Sequence, residues 1–151
     1  MRAIKPILLV EDDVVDASTV KQTLQDLGVR NPVVHKMDGE EALAYLKEQD
    51  EQLPALMLLD LNMPKINGVE LLQIIRADPQ LQRIPVVVLT VSKYEQDKID
   101  TFGLGAAGYI IKAVDYDAFL RSMDILIQYW TWNGLVERET NSAKLQTNSV
   151  A

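Results

Sequence analysis

Short apolar runs alternate along the chain with longer stretches in which apolar residues recur at helical spacing. Four of the runs are unbroken, at residues 7–10, 55–59, 86–89 and 109–111. Unbroken runs of this length are typical of strands that are buried on both faces of a parallel sheet. A fifth run, at residues 33–37, mixes polar and apolar positions and therefore predicts a strand at the edge of the sheet.

The stretches between these runs place their apolar residues on one helical face. Helices are predicted before Gly28, around residues 42–46 and 69–75, from about Glu95 to Phe102, and from about Tyr116 to Trp132. Five repeats of a strand followed by a helix predict an α/β fold, with right-handed crossovers and helices on both faces of the sheet.

Length and composition limit the classes of protein and the kinds of site that this sequence can form. A chain of 151 residues with 48% hydrophobic and 25% charged residues predicts one globular domain. The absence of Cys and the presence of one His, His35, exclude disulfides, thiolate metal sites and multi-histidine sites. A net charge of -7 disfavours binding to nucleic acids or anionic membranes. No apolar run could span a bilayer, so we expect a cytoplasmic protein.

The composition changes after Gly134. The remaining residues are polar and contain few apolar anchors. We therefore expect a domain over residues 1–133, followed by a frayed or disordered tail over residues 134–151.

Reactive side chains follow the predicted strands. Glu11 and Asp12 come after the first strand, Asp60 comes after the third, the fourth ends in Thr90, and the fifth is followed by Lys112. Because the carboxyl ends of parallel strands meet at one edge of the sheet, these groups should converge there. Clustered carboxylates repel one another, and a hard divalent cation such as Mg²⁺ would relieve that repulsion together with the lysine.

This combination of groups predicts phosphoryl chemistry. A carboxylate held between a cation and an ammonium group can act as a nucleophile toward phosphorus and form an acyl phosphate. The cation and Lys112 would offset the charge on the phosphoryl oxygens, and the hydroxyl of Thr90 would donate a hydrogen bond to one of them.

Five motifs stand in order between residues 7 and 130. They are Leu-Val-Glu-Asp-Asp (9–13), Asp-Gly-Glu-Glu-Ala-Leu (38–43), Leu-Leu-Asp-Leu-Asn-Met-Pro-Lys-Ile-Asn-Gly (58–68), Ile-Pro-Val-Val-Val-Leu-Thr (84–90) and Gly-Tyr-Ile-Ile-Lys (108–112). With these motifs the sequence resembles the receiver domain of two-component response regulators, as in the stand-alone chemotaxis regulator. Within that class it most resembles the single-domain regulators that partner cyanobacterial phytochromes. The resemblance implies a flavodoxin-like, doubly wound fold with five parallel strands in the order 2-1-3-4-5 and five helices.

The resemblance also implies roles for the residues that follow the first and third strands. Asp60 would accept the phosphoryl group and contact the metal. Asp12 would bind Mg²⁺ directly, Glu11 would assist through water, and the backbone carbonyl of Asn62 would complete the protein ligands.

Further implied roles concern the fourth and fifth strands. Thr90 and Lys112 would contact the phosphoryl group, and Tyr109 would be an aromatic switch that turns inward behind Thr90. The phosphoryl donor would be a histidine kinase, of the phytochrome type or another, or a phosphotransfer protein. The output would be protein association or phosphate relay, without turnover of a separate substrate.

Two positions depart from the usual receiver pattern. Ala113 stands where a proline normally follows the lysine in a cis bond, and a cis bond before a residue other than proline costs about 2.5–4 kcal/mol. Val91 stands where Ala, Gly or Ser is usual, and its branched side chain would crowd the path of a hydrolytic water. These departures keep open the possibility of an interaction module that acts without phosphorylation.

A phosphatase and a dinucleotide-binding protein have less support in the sequence. A phosphatase of the aspartyl-phosphate type would require a second acid two residues after Asp60, where Asn62 stands. Residues 103–108 fit the dinucleotide pattern G-x-G-x-x-G, but a helix precedes them and a strand follows, which is the reverse of the order that pattern needs. We expect these glycines to end the preceding helix, and we expect His35 to be an ordinary surface residue.

Aromatic residues suggest a contact surface near the carboxyl terminus. Trp130 has the spacing of a core residue, whereas Tyr129 and Trp132 exceed what one apolar stripe requires. The segment at residues 95–102 and the last helix would lie side by side and flank the fifth strand, and these three elements would form one face. We therefore predict a homodimer through this face, using Tyr94, Ile99, Phe102 and the aromatic residues of the last helix.

Overall fold

The computed structural model describes residues 4–48, 52–61, 63, 66–90, 99–100, 103–112 and 115–139. The elements in chain order are β1 (Ile7–Val10), α1 (Val14–Asp26), β2 (Val33–Lys36), α2 (Gly39–Glu48), β3 (Leu56–Asp60), α3 (Gly68–Ala77), a 3-10 turn (Leu81–Arg83), β4 (Val86–Thr90), β5 (Gly108–Ile111) and α4 (Tyr116–Trp132). No helix within these ranges is both long enough and apolar enough to cross a bilayer.

The five strands form one parallel sheet in the order β2-β1-β3-β4-β5, which confirms the predicted topology. The three central strands are buried along their whole length, whereas every residue of the edge strand β2 is partly exposed. The mixed run therefore corresponds to an edge strand, because only central strands are covered on both faces. The prediction is wrong for the unbroken run at 109–111, since β5 is the other edge strand and only its residue Ile110 is buried.

Helices cover both faces of this sheet. One core contains Leu8, Met57 and Val88 with residues of α2 and α3, and the other contains Leu9 and Leu58 with residues of α1 and α4. Side chains of one strand point alternately to the two faces, so each central strand contributes to both cores. The fold is therefore doubly wound, as expected.

Four helices lie in the described ranges, and the fifth predicted helix, at about 95–102, falls mostly outside them. Its described residues Ile99 and Asp100 are helical. Ile99 is completely buried in the core of α2 and α3, so it cannot take part in the dimer face predicted from the sequence. Gly103 and Gly105 then adopt positive φ angles of 65° and 60° and turn the chain into β5, in agreement with the expected turn.

The sequence predicts a frayed tail from residue 134 onward, but residues 134–139 pack against the domain. Residues 134–139 run back along the loop between α1 and β2, where Val29 and Arg138 form an antiparallel bridge. Val136 is buried in the core of α1 and α4. The buried side chain of Asn31 donates hydrogen bonds to the carbonyls of Lys5 and Leu135 and accepts one from the Glu137 N–H. Pairing of backbone groups and one buried valine hold this polar segment, and neither is apparent from its composition.

Candidate functional site

The parallel register brings the carboxyl ends of four strands to one edge. Val10 of β1 lies opposite Leu59, and Asp60 of β3 lies opposite Leu89 of β4. The residue after β1, the last residue of β3, the last residue of β4 and the residue after β5 consequently share this edge. These are Glu11, Asp60, Thr90 and Lys112.

Three carboxylates of this edge meet. Glu11, Asp12 and Asp60 each offer an oxygen within 4.8 Å of the others. Glu11 and Asp60 are buried, whereas Asp12 is partly exposed. Carboxylate oxygens are the ligands that hard divalent cations prefer, so the donor chemistry and the spacing fit such an ion.

The charge balance of the cluster supports the same fit. Burial raises the pKa of Glu11 to about 8, and hydrogen bonding to Asp60 adds to the rise, while Lys112 opposes it. Among the described residues, the carboxyl groups of Glu11, Asp12 and Asp60 share the site with one ammonium group, that of Lys112. A cation bound here would stabilise the ionised form of Glu11.

Lys112 is the positive centre of the site. Its Nζ lies 2.7 Å from Oε1 of Glu11, 2.8 Å from Oδ2 of Asp16 and 3.5 Å from Oδ1 of Asp60. Burial favours the neutral amine, but the hydrogen bonds to Asp16 and Glu11 and the charge of Asp60 outweigh it. The pKa of Lys112 is raised as a result, and its ammonium form is strongly favoured.

Asp16 and His35 are site residues that the sequence pattern did not reveal. Asp16 lies in the first turn of α1, and its proximity to the Glu11-Asp12 pair was the available signal. His35 was expected to be an ordinary surface residue, but it is half-buried and its Nε2 lies 2.7 Å from the backbone carbonyl oxygen of Glu11. This contact, together with the Glu11 N–H donating to the Lys36 carbonyl, holds the end of β1 against β2.

Helix starts fix the loops around the cluster. Asp13 caps α1 by accepting a hydrogen bond from the Asp16 N–H. Asn67 caps α3 and forms a reciprocal capping box with Glu70. The next residue, Gly68, comes so close to Asp60 that a Cβ at this position would lie 2.6 Å from the Asp60 carbonyl oxygen. The start of α3 therefore packs directly against the backbone of the Asp60 segment.

Thr90 and Tyr109 lie on the neighbouring strands β4 and β5. Thr90 is completely buried, and its carbonyl accepts a hydrogen bond from the Lys112 N–H. Tyr109 is half-buried, and its hydroxyl donates to Asp100 at 2.9 Å. Burial and this carboxylate raise the pKa of Tyr109 to about 12. The hydroxyl is thus held by the carboxylate of Asp100, and the inward turn behind Thr90 stays a prediction.

Some expectations about the site concern residues outside the described ranges, among them the carbonyl of Asn62, the side chain of Val91 and the bond between Lys112 and Ala113. The groups that the structure does bring together are the three carboxylates and Lys112, as predicted, with Asp16 in addition.

Comparison with known proteins gives consistent matches. Residues 7–124 match the family described as the response regulator receiver domain. Response regulator Rcp1 of Synechocystis sp. is 37% identical over 130 residues, which cover 83% of this chain and 88% of Rcp1. The phosphorylated cyanobacterial phytochrome response regulator RcpA superposes with a TM-score of 0.75 at 38% identity, covering 85% of this chain and 95% of RcpA. The Mn²⁺-bound form of Rcp1 superposes with a TM-score of 0.72 at 37% identity, covering 83% and 94%.

The match extends from the first residue of β1 into α4 and includes every residue of the carboxylate cluster and Lys112. Receiver domains are phosphoacceptors and not classical enzymes. Three observations agree with membership of this family: the sheet order, the carboxylates at the strand ends and the similarity to solved regulators. The chain therefore belongs to the response regulator receiver domain family and has cyanobacterial phytochrome response regulators among its relatives.

Proposed function

We propose that this receiver domain accepts a phosphoryl group on Asp60. The observation that carries the proposal is the setting of that side chain, which is 3% exposed at the end of β3 with the ammonium of Lys112 at 3.5 Å. Two more carboxylates lie within 4.8 Å. A buried carboxylate between a cation-binding cluster and a lysine is suited to nucleophilic attack on phosphorus.

The transfer forms one bond and breaks one. An oxygen of the Asp60 carboxylate attacks the phosphorus of a phosphohistidine, an O–P bond forms, and the N–P bond breaks with its electron pair remaining on the imidazole. Lys112 stabilises the negative charge on the transferring oxygens, and the hydroxyl of Thr90 donates to one of them. The acyl phosphate remains on Asp60 until water or another protein removes it.

Mg²⁺ is the proposed cation. Glu11, Asp12 and Asp60 would hold it, with the backbone carbonyl of Asn62 as a further ligand. Mg²⁺ prefers oxygen ligands and commonly sits on one or two carboxylates together with phosphate oxygens. The bound ion would supply charge compensation for the incoming phosphoryl group, and the existence of a Mn²⁺-bound form of the similar regulator Rcp1 supports a divalent ion.

A histidine kinase of the phytochrome type is the proposed donor. The similarity to Rcp1 and RcpA supports this choice, and a phosphotransfer protein is the second candidate donor. The reaction would take place in the cytoplasm. Phosphorylation adds charge beside Lys112 and Thr90, and the altered surface would then signal by protein association or pass the phosphoryl group on.

Labelling by acetyl phosphate tests the acceptor. The wild type, incubated with acetyl phosphate and Mg²⁺, should gain the mass of one phosphoryl group, and Asp60→Asn should gain none. Asp115→Asn is the matched control, because it makes the same exchange at the cap of α4, where Asn caps as well as Asp. An unlabelled wild type would favour the phosphorylation-independent interaction module. Labelling of Asp60→Asn would assign the acceptor to another residue.

A homodimer through α4 is the proposed assembly. The solvent face of α4 carries Ile125, Tyr129 and Trp132, which are 68%, 58% and 90% exposed, whereas Trp130 packs inward as predicted. Tyr94 and Phe102 lie outside the described residues. A two-fold pairing of α4 would bury Ile125, Tyr129 and Trp132 against their own copies and remove their apolar area from water.

Sedimentation tests the dimer. Ile125→Asp should convert a dimeric wild type into monomers, whereas Ile74→Asp, the same change at an exposed position on α3, should leave the dimer intact. The measurement is repeated with beryllofluoride as phosphoryl analogue. A wild type that stays monomeric at tens of micromolar in both conditions would contradict the proposed assembly.

A further inference from the structure

The ammonium group of Lys112 lies closer to two other carboxylates than to the proposed phosphoacceptor. Its Nζ is 2.7 Å from Glu11 and 2.8 Å from Asp16, but 3.5 Å from Asp60. The first two distances are those of charge-assisted hydrogen bonds, and the third is longer than such a bond. Lys112 is therefore bound more closely by Glu11 and Asp16 than by Asp60, the carboxylate that it would serve during phosphoryl transfer.

Asp16 differs from the other two partners in position and setting. Glu11 and Asp60 are fixed at strand ends and are 0% and 3% exposed, whereas Asp16 lies on α1 and its side chain is 43% exposed. Asp16 and Lys112 both line an open cavity of about 270 Å³ between α1 and α4. The Asp16 carboxylate is thus the solvent-facing partner, and the cavity beside the pair gives the lysine side chain room to move.

We propose that Asp16 is a positioning residue that competes with the phosphoryl group for Lys112. Before phosphorylation it draws the ammonium group toward α1. Once Asp60 carries a phosphoryl group, the same ammonium must move toward the new oxygens, and its ion pair with Asp16 weakens. This inference rests on the proposed function, because it assumes that Asp60 is the acceptor.

Charge and geometry both predict that loss of the Asp16 carboxylate favours pairing of Lys112 with the phosphoryl group. In the described part of the chain, the ammonium group of Lys112 contacts the carboxylates of Glu11, Asp16 and Asp60, and a phosphoryl group would bring further negative charge to the same place. Asp16→Asn removes the competing anion and one source of repulsion. Both effects favour pairing of Lys112 with the phosphoryl group, so the variant should bind a phosphoryl analogue more tightly and lose a real phosphoryl group more slowly.

Beryllofluoride titration at saturating Mg²⁺, followed by fluorine NMR, measures this competition. We expect Asp16→Asn to bind beryllofluoride about threefold more tightly than the wild type, since a partly exposed ion pair is being released. Asp13→Asn removes the same charge from the preceding turn and keeps the helix cap, so its affinity should stay near that of the wild type. Asp16→Glu should restore affinity to the wild-type value by restoring the anion.

The outcomes separate this inference from the proposed function. A wild type that binds no beryllofluoride would overturn both. A wild type that binds it, with Asp16→Asn equal to Asp13→Asn or weaker than the wild type, would overturn the competition alone. Weaker binding by Asp16→Asn would show that Asp16 supports Lys112 instead of competing for it. If Asp16→Asn does not fold, Asp16→Ser is measured instead, and the decay rate of the acyl phosphate, expected to fall about threefold, provides the second readout.

Discussion

Substitution of Gly68 by Ala should destabilise the protein at the site itself. Gly68 is the first residue of α3, and a Cβ added there would lie 2.5 Å from the Cα of Leu61 and 2.6 Å from the carbonyl oxygen of Asp60. Nonbonded carbon atoms in proteins normally lie about 3.5–4.0 Å apart. The start of α3 and the Asp60 segment would therefore have to separate by about 1 Å.

The expected loss in the free energy of unfolding follows from two opposing effects. One extra methyl group in a packed region costs about 1–3 kcal/mol, and contact with backbone atoms places Gly68→Ala at the upper end, because backbone cannot rotate away. Ala is favoured over Gly in a helix by up to about 1 kcal/mol. The difference predicts a loss of about 2 kcal/mol in the free energy of unfolding, or about 4–8 °C in Tm for a chain of this length.

Gly108→Ala is the matched control. A Cβ there would lie 2.9 Å from a methyl carbon of Leu126, the end of a flexible side chain. That methyl group can move by a small rotation, so the loss should stay below about 1 kcal/mol. The same chemical change thus meets backbone at one position and a movable side chain at the other.

Urea unfolding followed by circular dichroism measures both variants, and acetyl-phosphate labelling reports the site. Gly68→Ala should have the lower midpoint and should label more slowly, because the Asp60 segment is displaced. Equal stability of the two variants, or a Gly68→Ala protein as stable as the wild type, would refute the argument that close approach of α3 determines the position of Asp60.

Further variants test separate parts of the molecule. Asp12→Ala should weaken Mg²⁺ binding at least tenfold in a calorimetric titration, because one of few charged ligands is lost, and unchanged affinity would exclude Asp12 as a ligand. Val91→Ala should hasten decay of the acyl phosphate by opening the path of the hydrolytic water, so equal or slower decay would rule out steric shielding. Asn31→Ala should lower the free energy of unfolding by about 2–3 kcal/mol, because it removes three hydrogen bonds that are largely buried. It should also expose residues 134–139 to proteases, and unchanged proteolysis would show that Asn31 does not hold this segment.

Much of the fold is determined by local pattern. The unbroken runs at 7–10, 55–59 and 86–89 correspond to the buried central strands, and the mixed run at 33–37 corresponds to an edge strand. The unbroken run at 109–111 is the exception, because β5 is the other edge strand. The placement of Asp60 and Lys112 directly after such runs brought both to one edge, since all parallel strands end on the same side. These features depend on neighbours along the chain, so the sequence alone determined them.

A second group of features depends on which distant segments meet, and only the tertiary structure decided them. Only the assembled fold makes Asp16 the partner of Lys112, His35 a contact of the Glu11 carbonyl, and Gly68 the point where α3 meets the Asp60 backbone. The composition of residues 134–139 predicts a free tail, yet the segment is held by backbone pairing with the loop after α1. Backbone hydrogen bonds leave no periodic trace in the sequence, because every residue other than proline carries the same backbone donor and acceptor. Ion pairs between remote residues leave none either, because their two partners can stand at any separation along the chain.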